Sequence, residues 1–354
     1  MKIILAMSGG VDSSVAALLL KRDGHEIIGA YLKTEYCNPD DRRDALCVAA
    51  LLDIPLVTID FNDAYRDKVV EPLFEGYARG ITPNPDVECN SRIKFPLLWK
   101  EARRFGCDAI ATGHYARIQR FHGLDHGTVH RLYCGADVLK DQTYFLHRLT
   151  QDDLSHTIFP IGDLTKPEVR LIAREAGLPV ADKRSTRGVC FIGPVKMKEF
   201  IASAVTHSPG PIRTRDGKEV GEHDGAELYT VGERVPVSGA GRPWHVLEKH
   251  IETNTLVVTA RDDQFLTSSC AMATDTHWIS GRVPAAGRYQ VKVRSRAPLV
   301  GVMADPPLSP PCMQGGEKEG GFSVHFDEPQ NSLAPGQSIV LYRDDECLGG
   351  GIIK

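Results

Sequence analysis

A chain of 354 residues, 42% hydrophobic and 25% charged, has the composition of a globular protein and is too long for one ordinary core, so two or three domains are expected. No apolar run reaches the ~18 residues that span a bilayer, and Met1-Lys2-Ile3-Ile4-Leu5 enters a strand without a signal-peptide layout, which points to a cytoplasmic protein with no membrane partner. The net charge of −4 confines any nucleic-acid surface to local patches, and nine cysteines without a Cys-x-x-Cys pair argue against a zinc ribbon and a secreted disulfide framework.

The first strand, Ile3-Ile4-Leu5, runs into Ala6-Met7-Ser8-Gly9-Gly10-Val11-Asp12-Ser13-Ser14 and then an apolar helix, Val15 to Leu20. A strand, a Gly-Gly turn and a helix N-terminus make an anion site, because free N–H groups and the helix dipole converge there. Ser8, Ser13 and Ser14 add hydroxyls, and Asp12 is placed to cap the helix or hold Mg²⁺. No lysine follows the glycines, which separates this loop from those that grip a transferring γ-phosphate. The run SGGVDSS resembles the PP-loop of ATP pyrophosphatases, which cleave between the α- and β-phosphates and adenylate a substrate.

Further strands are expected at Glu26 to Leu32, Leu56 to Phe61 and Asp108 to Thr112, with helices such as Tyr65 to Tyr77 and Phe95 to Phe105 between them. This alternation implies an α/β fold with a doubly wound parallel sheet, whose ligands sit beyond the strands' carboxyl ends, near Ser8–Ser14 and Gly113-His114. Within Asn84-Pro85-Asp86-Val87-Glu88-Cys89-Asn90, a turn-rich segment before a helix expected to open around Lys94-Phe95, Cys89 has Arg92 and Lys94 close by. That setting favours a nucleophilic thiolate, with Asp86 as a nearby acid or base; an inert buried thiol is the alternative. Helices are expected at Lys140 to Leu149, Gln151 to Ser155, Pro167 to Ala176 and Val195 to Ala204. Cys190 follows the basic Lys183, Arg184 and Arg187, and two reactive cysteines suggest sulfur relay or a transient disulfide.

A linker at His207 to Pro211 precedes short alternating runs at Glu227–Val231, His245–Glu248, Thr255–Thr259, Tyr289–Val293, Phe322–Phe326 and Ser338–Tyr342, the spacing of small antiparallel barrels. The Pro- and Gly-rich 305–321 reads as a loop between two strands. The expected division is a catalytic domain at 1–205 with a helical subregion, a small β-rich central domain at 206–268 and a C-terminal β-barrel at 269–354.

Almost end to end the chain is similar to the bacterial tRNA-specific 2-thiouridylases, which thiolate the wobble uridine of certain tRNAs. The likeness rests on SGGVDSS (8–14), TPNPDVECN with IKF (82–95), ATGHYAR (111–117), KDQTYFL (140–146), CFIG (190–193), GEHDG and YTVGERV (221–235), PWHV (243–246) and PGQSIVLYRDDECLGGGII (335–353). It implies that Ala6, Met7, Ser8, Gly9, Gly10, Val11, Asp12 and Ser13 cradle ATP with Mg²⁺, with Leu32 beside the adenine and Gly113 close to the nucleotide. Cys89 would be the nucleophile, Cys190 the persulfide carrier, and the two would form a disulfide during turnover. Asn84, Pro85 and Asp86 would hold the flipped uracil; His114, Lys140, Asp141, Gln142, Arg294, Ser295 and Gln337 would touch tRNA. A cysteine desulfurase or relay protein would deliver the sulfur, and no resident metal centre is implied.

The chain departs from the family pattern at Ser185, Thr186 and Glu233, and its stretch from Thr34 to Arg43 is short. Two other readings are another PP-loop enzyme that adenylates a different substrate for an amine nucleophile, needing neither cysteine, and a non-catalytic tRNA-binding protein.

Overall fold

A computed structural model describes residues 1–123, 127–183, 196–237, 243–260, 263–305 and 321–354. Cys190, Ser185, Thr186 and nearly all of the 305–321 loop lie outside the described residues. The first strand, β1 (Lys2–Ala6), buries Ile3, Ile4 and Leu5 completely, the pattern of a central parallel strand covered on both faces. Successive side chains point to opposite faces. Ile3 and Leu5 therefore meet Val15 and Leu18 of helix α1 (Val11–Arg22), Val48 of helix α2 (Pro39–Leu51) and Val169, while Ile4 joins Leu32, Tyr65, Val69, Phe95 and Leu98.

Strands β2 (Glu26–Lys33), β3 (Leu56–Asp60) and β4 (Ala109–Ala111) follow. A hairpin, β5 (Ala116–Gly123) and β6 (Gly127–Cys134), comes next and the chain re-enters the sheet as β7 (Thr157–Ile158). The order β3-β2-β1-β4-β7 is parallel throughout, with Ala6 opposite Ala30 and Leu5 opposite Ala111. The doubly wound sheet expected from sequence is present.

The central unit contains β8 (Gly210–Thr214), β9 (Glu219–His223), β10 (Arg234–Val235), β11 (Trp244–His250) and β12 (Thr255–Ala260), in the order β10-β11-β12-β8-β9. Strands β12 and β8 run parallel, so this unit departs from the purely antiparallel expectation. The last unit runs through β13 (Thr267–Trp278), β14 (Gly287–Lys292), β15 (Val300–Asp305), β16 (Phe322–Asn331), β17 (Ser338–Arg343) and β18 (Glu346–Ile353). The β13–β18 pairing closes these six antiparallel strands into a barrel, and the β5–β6 hairpin extends it by pairing on β18.

Three local expectations need correction. The helix bearing Cys89 begins at Pro85 rather than near Lys94: Pro85–Glu88, a π-helical turn Cys89–Lys94 and Phe95–Arg104 form one continuous run. Asn84 caps it, its side-chain oxygen accepting the N–H groups of Asp86 and Val87 at 3.2 and 3.4 Å. The helix expected over 140–149 is reduced to Thr143–Leu146, because Asp137 takes the N–H groups of Leu139 and Lys140 while Asp141 takes those of Gly135 and Thr143. The strand expected over 227–231 is a short 3₁₀ turn, Ala226–Leu228, entered through Gly225 at φ 156° with the Asn254 side chain accepting the Ala226 N–H.

Candidate active site

The loop between β1 and α1 lies at the carboxyl edge of the parallel sheet. Met7 is still tied to the sheet, its N–H donating to Ala30 O at 2.8 Å. The chain then turns through Gly9 at φ +73°, where a Cβ would overlap the Asp41 carbonyl oxygen, so only glycine fits. A Cβ on Gly10 would meet nothing within 4 Å except the Ser8 hydroxyl at 3.4 Å. That side of the loop is open to an incoming group. Helix α1 has no side-chain cap, and the N–H groups of Val11, Asp12 and Ser13 precede its first internal bond, Ser14 N–H to Gly10 O at 3.2 Å.

The three serines divide by role. Ser13 and Ser14 donate their hydroxyls to Gly10 O at 3.1 and 2.8 Å and are buried, so they brace the turn; only Ser8 is exposed. Asp12 does not cap the helix. Its carboxylate accepts from both directions: Lys166 Nζ donates to its two oxygens at 2.6 and 2.7 Å, and the Tyr115 hydroxyl to Oδ1 at 2.7 Å. Burial and the adjacent Asp12 charge push the Tyr115 phenol far above its ordinary range, which keeps it a donor. Lys183 reaches the loop from the other side, donating to Gly9 O at 3.0 Å, Asp41 at 2.7 Å and Asp44 at 2.6 Å. The loop carries no lysine of its own, and the tertiary structure supplies two. The Thr165–Glu168 capping box marks a helix start at Lys166, but no sequence signal says where that side chain goes.

Leu32, near the end of β2, is buried at the same edge, and the half-buried Gly113 follows β4. A Cβ on Gly113 would stand 2.7 Å from Ser13 N, so glycine here lets the β4 loop touch the start of α1. Cys89 is fully buried and shares an apolar cluster with Leu32, Tyr65, Ile93 and Phe95. Arg92, one of the two cations expected beside it, pairs with Glu88 at 2.5 Å, one helical turn back. Among the described residues no disulfide is formed.

The segment entering Asn84-Pro85-Asp86 is clamped by all three units. Thr82 N–H donates to Pro335 O at 2.9 Å, Gln337 Nε2 donates to Thr82 O at 2.8 Å, and the Thr82 and Thr230 hydroxyls lie 3.3 Å apart. Tyr144 hydrogen-bonds the Asn84 side chain and donates to Ser338 O at 2.9 Å; burial pushes its phenol up to about 12.

The residues assigned to tRNA by resemblance separate into two groups. Lys140 and Arg294 are exposed, the latter donating to Ser332 O at 2.6 Å, and Ser295, Gln142 and Gln337 are half-buried. Asp141 and His114 are buried, and their side chains are held by partners within the protein. Asp141 accepts from Lys292 Nζ at 2.6 Å in an ion pair sealed between the hairpin exit and the barrel. His114 bonds Thr112 Oγ1 through Nδ1 at 2.7 Å and stacks on Phe95; burial holds its pKa far below the usual range, so it is uncharged.

Three family models match this chain in order: a tRNA methyl transferase HUP domain over 1–194, a tRNA methyl transferase PRC-barrel domain over 198–260 and an aminomethyltransferase β-barrel domain over 268–353. The protein named tRNA-specific 2-thiouridylase MnmA in Paracidovorax citrulli is 42% identical, over 99% of this chain and 96% of its own. The one in Geobacillus thermodenitrificans is also 42% identical, over 99% of this chain and 94% of its own.

The chain belongs to the tRNA-specific 2-thiouridylase family.

For a thiouridylase, the geometry above places the Gly9-Gly10 loop, Leu32 and Gly113 on one sheet edge, with the Cys89 helix packed on the sheet beside them. It also ties the Asn84-Pro85-Asp86 turn to both β-rich units.

Proposed function

We propose that this chain is a tRNA-uridine 2-sulfurtransferase that uses ATP to exchange the C2 oxygen of the wobble uridine for sulfur. The observation that supports it most is an open Gly9-Gly10 loop at the carboxyl edge of a sheet whose opposite face, away from α1, packs the Cys89 helix, in a chain 42% identical to enzymes of that name. A uracil oxygen is a poor leaving group. Its attack on the α-phosphorus of ATP breaks the bond to the β-phosphate, releases pyrophosphate and leaves AMP on the base, a far better leaving group. Ala6 to Ser13 would hold the phosphates through backbone N–H groups, with Leu32 against the adenine and Gly113 beside the nucleotide.

Mg²⁺ bound with a nucleotide needs only one or two carboxylates, and Asp12 at the loop supplies one; the ion would offset the charge building on the leaving pyrophosphate. In the direct route the outer sulfur of a Cys190 persulfide attacks C2 and expels AMP, and the Cys89 thiolate then attacks the Cys190 sulfur, forming the Cys89–Cys190 disulfide and freeing the 2-thiouridine. In the alternative route, the Cys89 thiolate attacks the inner sulfur of that persulfide, forms a Cys89–Cys190 disulfide and releases hydrosulfide, which attacks C2. Asn84, Pro85 and Asp86 would hold the flipped base, and a closed pocket protects the adenylate from water. Cys89 is fully buried, so turnover requires its helix to open; the wide π-helical turn Cys89–Lys94 is the element suited to that movement. A protein persulfide donor would reload Cys190.

The test is mass spectrometry of tRNA nucleosides from a deletion strain complemented with wild type, Cys89→Ser or Cys190→Ser. Loss of 2-thiouridine on deletion, restored only by wild type, is expected. Full restoration by both serine variants would instead favour an adenylating enzyme that uses an amine, and unchanged 2-thiouridine in the deletion strain would overturn the proposal.

A further inference from the structure

We propose that Lys166 is the phosphate-binding cation that the Gly9-Gly10 loop lacks, stored on Asp12 and transferred to the β- and γ-phosphates when ATP and Mg²⁺ arrive. The inference rests on reading this loop as the ATP site. Lys166 opens a helix whose start is fixed three ways: the Thr165–Glu168 capping box, the Asp137 carboxylate accepting the Lys166 N–H at 2.9 Å, and a proline at the next position. Its side chain runs inward, with only 10% of its surface exposed, to the second residue of α1. An ammonium placed there is strongly unfavourable unless paired. Among the described residues its ion-pair partner is Asp12, through both oxygens; Tyr115 holds that carboxylate in place and sets its ring 5.9 Å from the ammonium.

Lys183 shows what a purely structural lysine looks like at the same loop. Its three donors meet three acceptors, a backbone carbonyl and two carboxylates, so its bonding capacity is filled by groups that hold α2 against the turn. Lys166 Nζ pairs instead with a carboxylate that is itself the loop's natural metal ligand. When Mg²⁺ takes the Asp12 carboxylate, the ammonium loses its partner at the mouth of the open loop, where the polyphosphate would lie. The exchange conserves charge pairing at every stage: carboxylate with ammonium before binding, carboxylate with metal and ammonium with phosphate after it. The task of Lys166 is to stabilise the departing pyrophosphate as the α–β bond breaks.

Calorimetric titration of the full chain with ATP, AMP and inorganic pyrophosphate, each with and without Mg²⁺, tests this directly. For Lys166→Met, affinity for ATP and pyrophosphate with Mg²⁺ should fall roughly 10- to 100-fold, while AMP, which lacks the β- and γ-phosphates, changes less than about twofold. Lys166→Arg should restore most of the loss. Equal weakening of AMP and ATP, or unchanged pyrophosphate binding, would overturn the proposal and leave Lys166 a structural strut. Should Lys166→Met fold poorly, Asp12→Asn gives the opposite sign: it removes the carboxylate that competes for Lys166, so metal-free pyrophosphate binding should tighten and its Mg²⁺ dependence vanish. Weaker metal-free binding in that variant would sink the exchange. Wild type that binds neither ATP nor pyrophosphate would overturn the ATP-site reading itself.

Discussion

Single atoms decide much of this site. Gly113 has an ordinary backbone, yet a Cβ there would press on Ser13 N at 2.7 Å and on the Asp12 carbonyl carbon at 2.9 Å. Backbone cannot rotate away as a side chain can, so Gly113→Ala should cost about 1–3 kcal/mol, and ATP affinity should drop with it because the displaced atoms begin α1. Denaturant unfolding and nucleotide titration on the same preparation would check both. Buried histidines set a pH limit. His147 donates from Nδ1 to Tyr144 O at 2.8 Å, and burial, the main cause, depresses its pKa from 6.5 to about 3. The unfolded chain takes up a proton that the folded one refuses, so its contribution to stability is intact above 6.5 and erodes as pH falls toward 3. At pH 5 the loss should reach about 2 kcal/mol for this residue alone. Unfolding midpoints at pH 7.5 and pH 5 should therefore differ less in His147→Gln than in wild type; equal differences would remove His147 from the explanation.

At the scale of elements, the β5–β6 hairpin is the piece that joins the two main units. Its exit turn carries Asp141, whose carboxylate meets Lys292 of β14 with both side chains almost fully buried. Removing one partner of such a pair leaves a naked buried charge. Lys292→Met should cost about 3–5 kcal/mol, and adding Asp141→Asn should recover part of it, as read by chemical denaturation. Simple additivity of the two variants would contradict the pairing. The same hairpin marks one limit of the sequence reading: no element was expected over Ala116 to Cys134, and the strand that β6 pairs with in the barrel lies more than 200 residues further on. The long β13 was equally hidden, since Thr267 to Trp278 changes partner from β16 to β18 along its length and presents no single buried face.

Across the whole molecule the three units share packing. Val340, Tyr342 and Cys347 of the barrel lie in the same apolar cluster as Ile4, Cys89 and Phe95 of the catalytic unit. Arg117 donates to Asp345 at 2.7 Å and Arg148 pairs with Asp275 at 2.9 Å, both across that boundary. A chain truncated after residue 266 would expose this cluster and the β6 edge that β18 covers. It should aggregate or unfold at a lower temperature than the full chain, measured by solubility and calorimetry. A truncated chain as stable as the full-length protein would mean that the shared cluster contributes little.

Sequence alone determined what depends on local chemistry. Ile3, Ile4 and Leu5 had to be a two-faced buried strand, Gly9 and Gly10 a tight turn before a helix, and Cys89 a candidate nucleophile beside Asn84, Pro85 and Asp86, because residue type and neighbour spacing carry that information. The family resemblance rested on such short runs as well. Tertiary structure alone decided that Asp12 is held by Lys166 and Tyr115 rather than capping its helix, that Asp141 and His114 face inward, and that Thr82 is clamped between two β-rich units. Each of those outcomes joins residues separated by 100 positions or more, or depends on which side of a turn is covered. The physical reason is that a side chain's partner is set by chain crossings whose geometry no local pattern encodes.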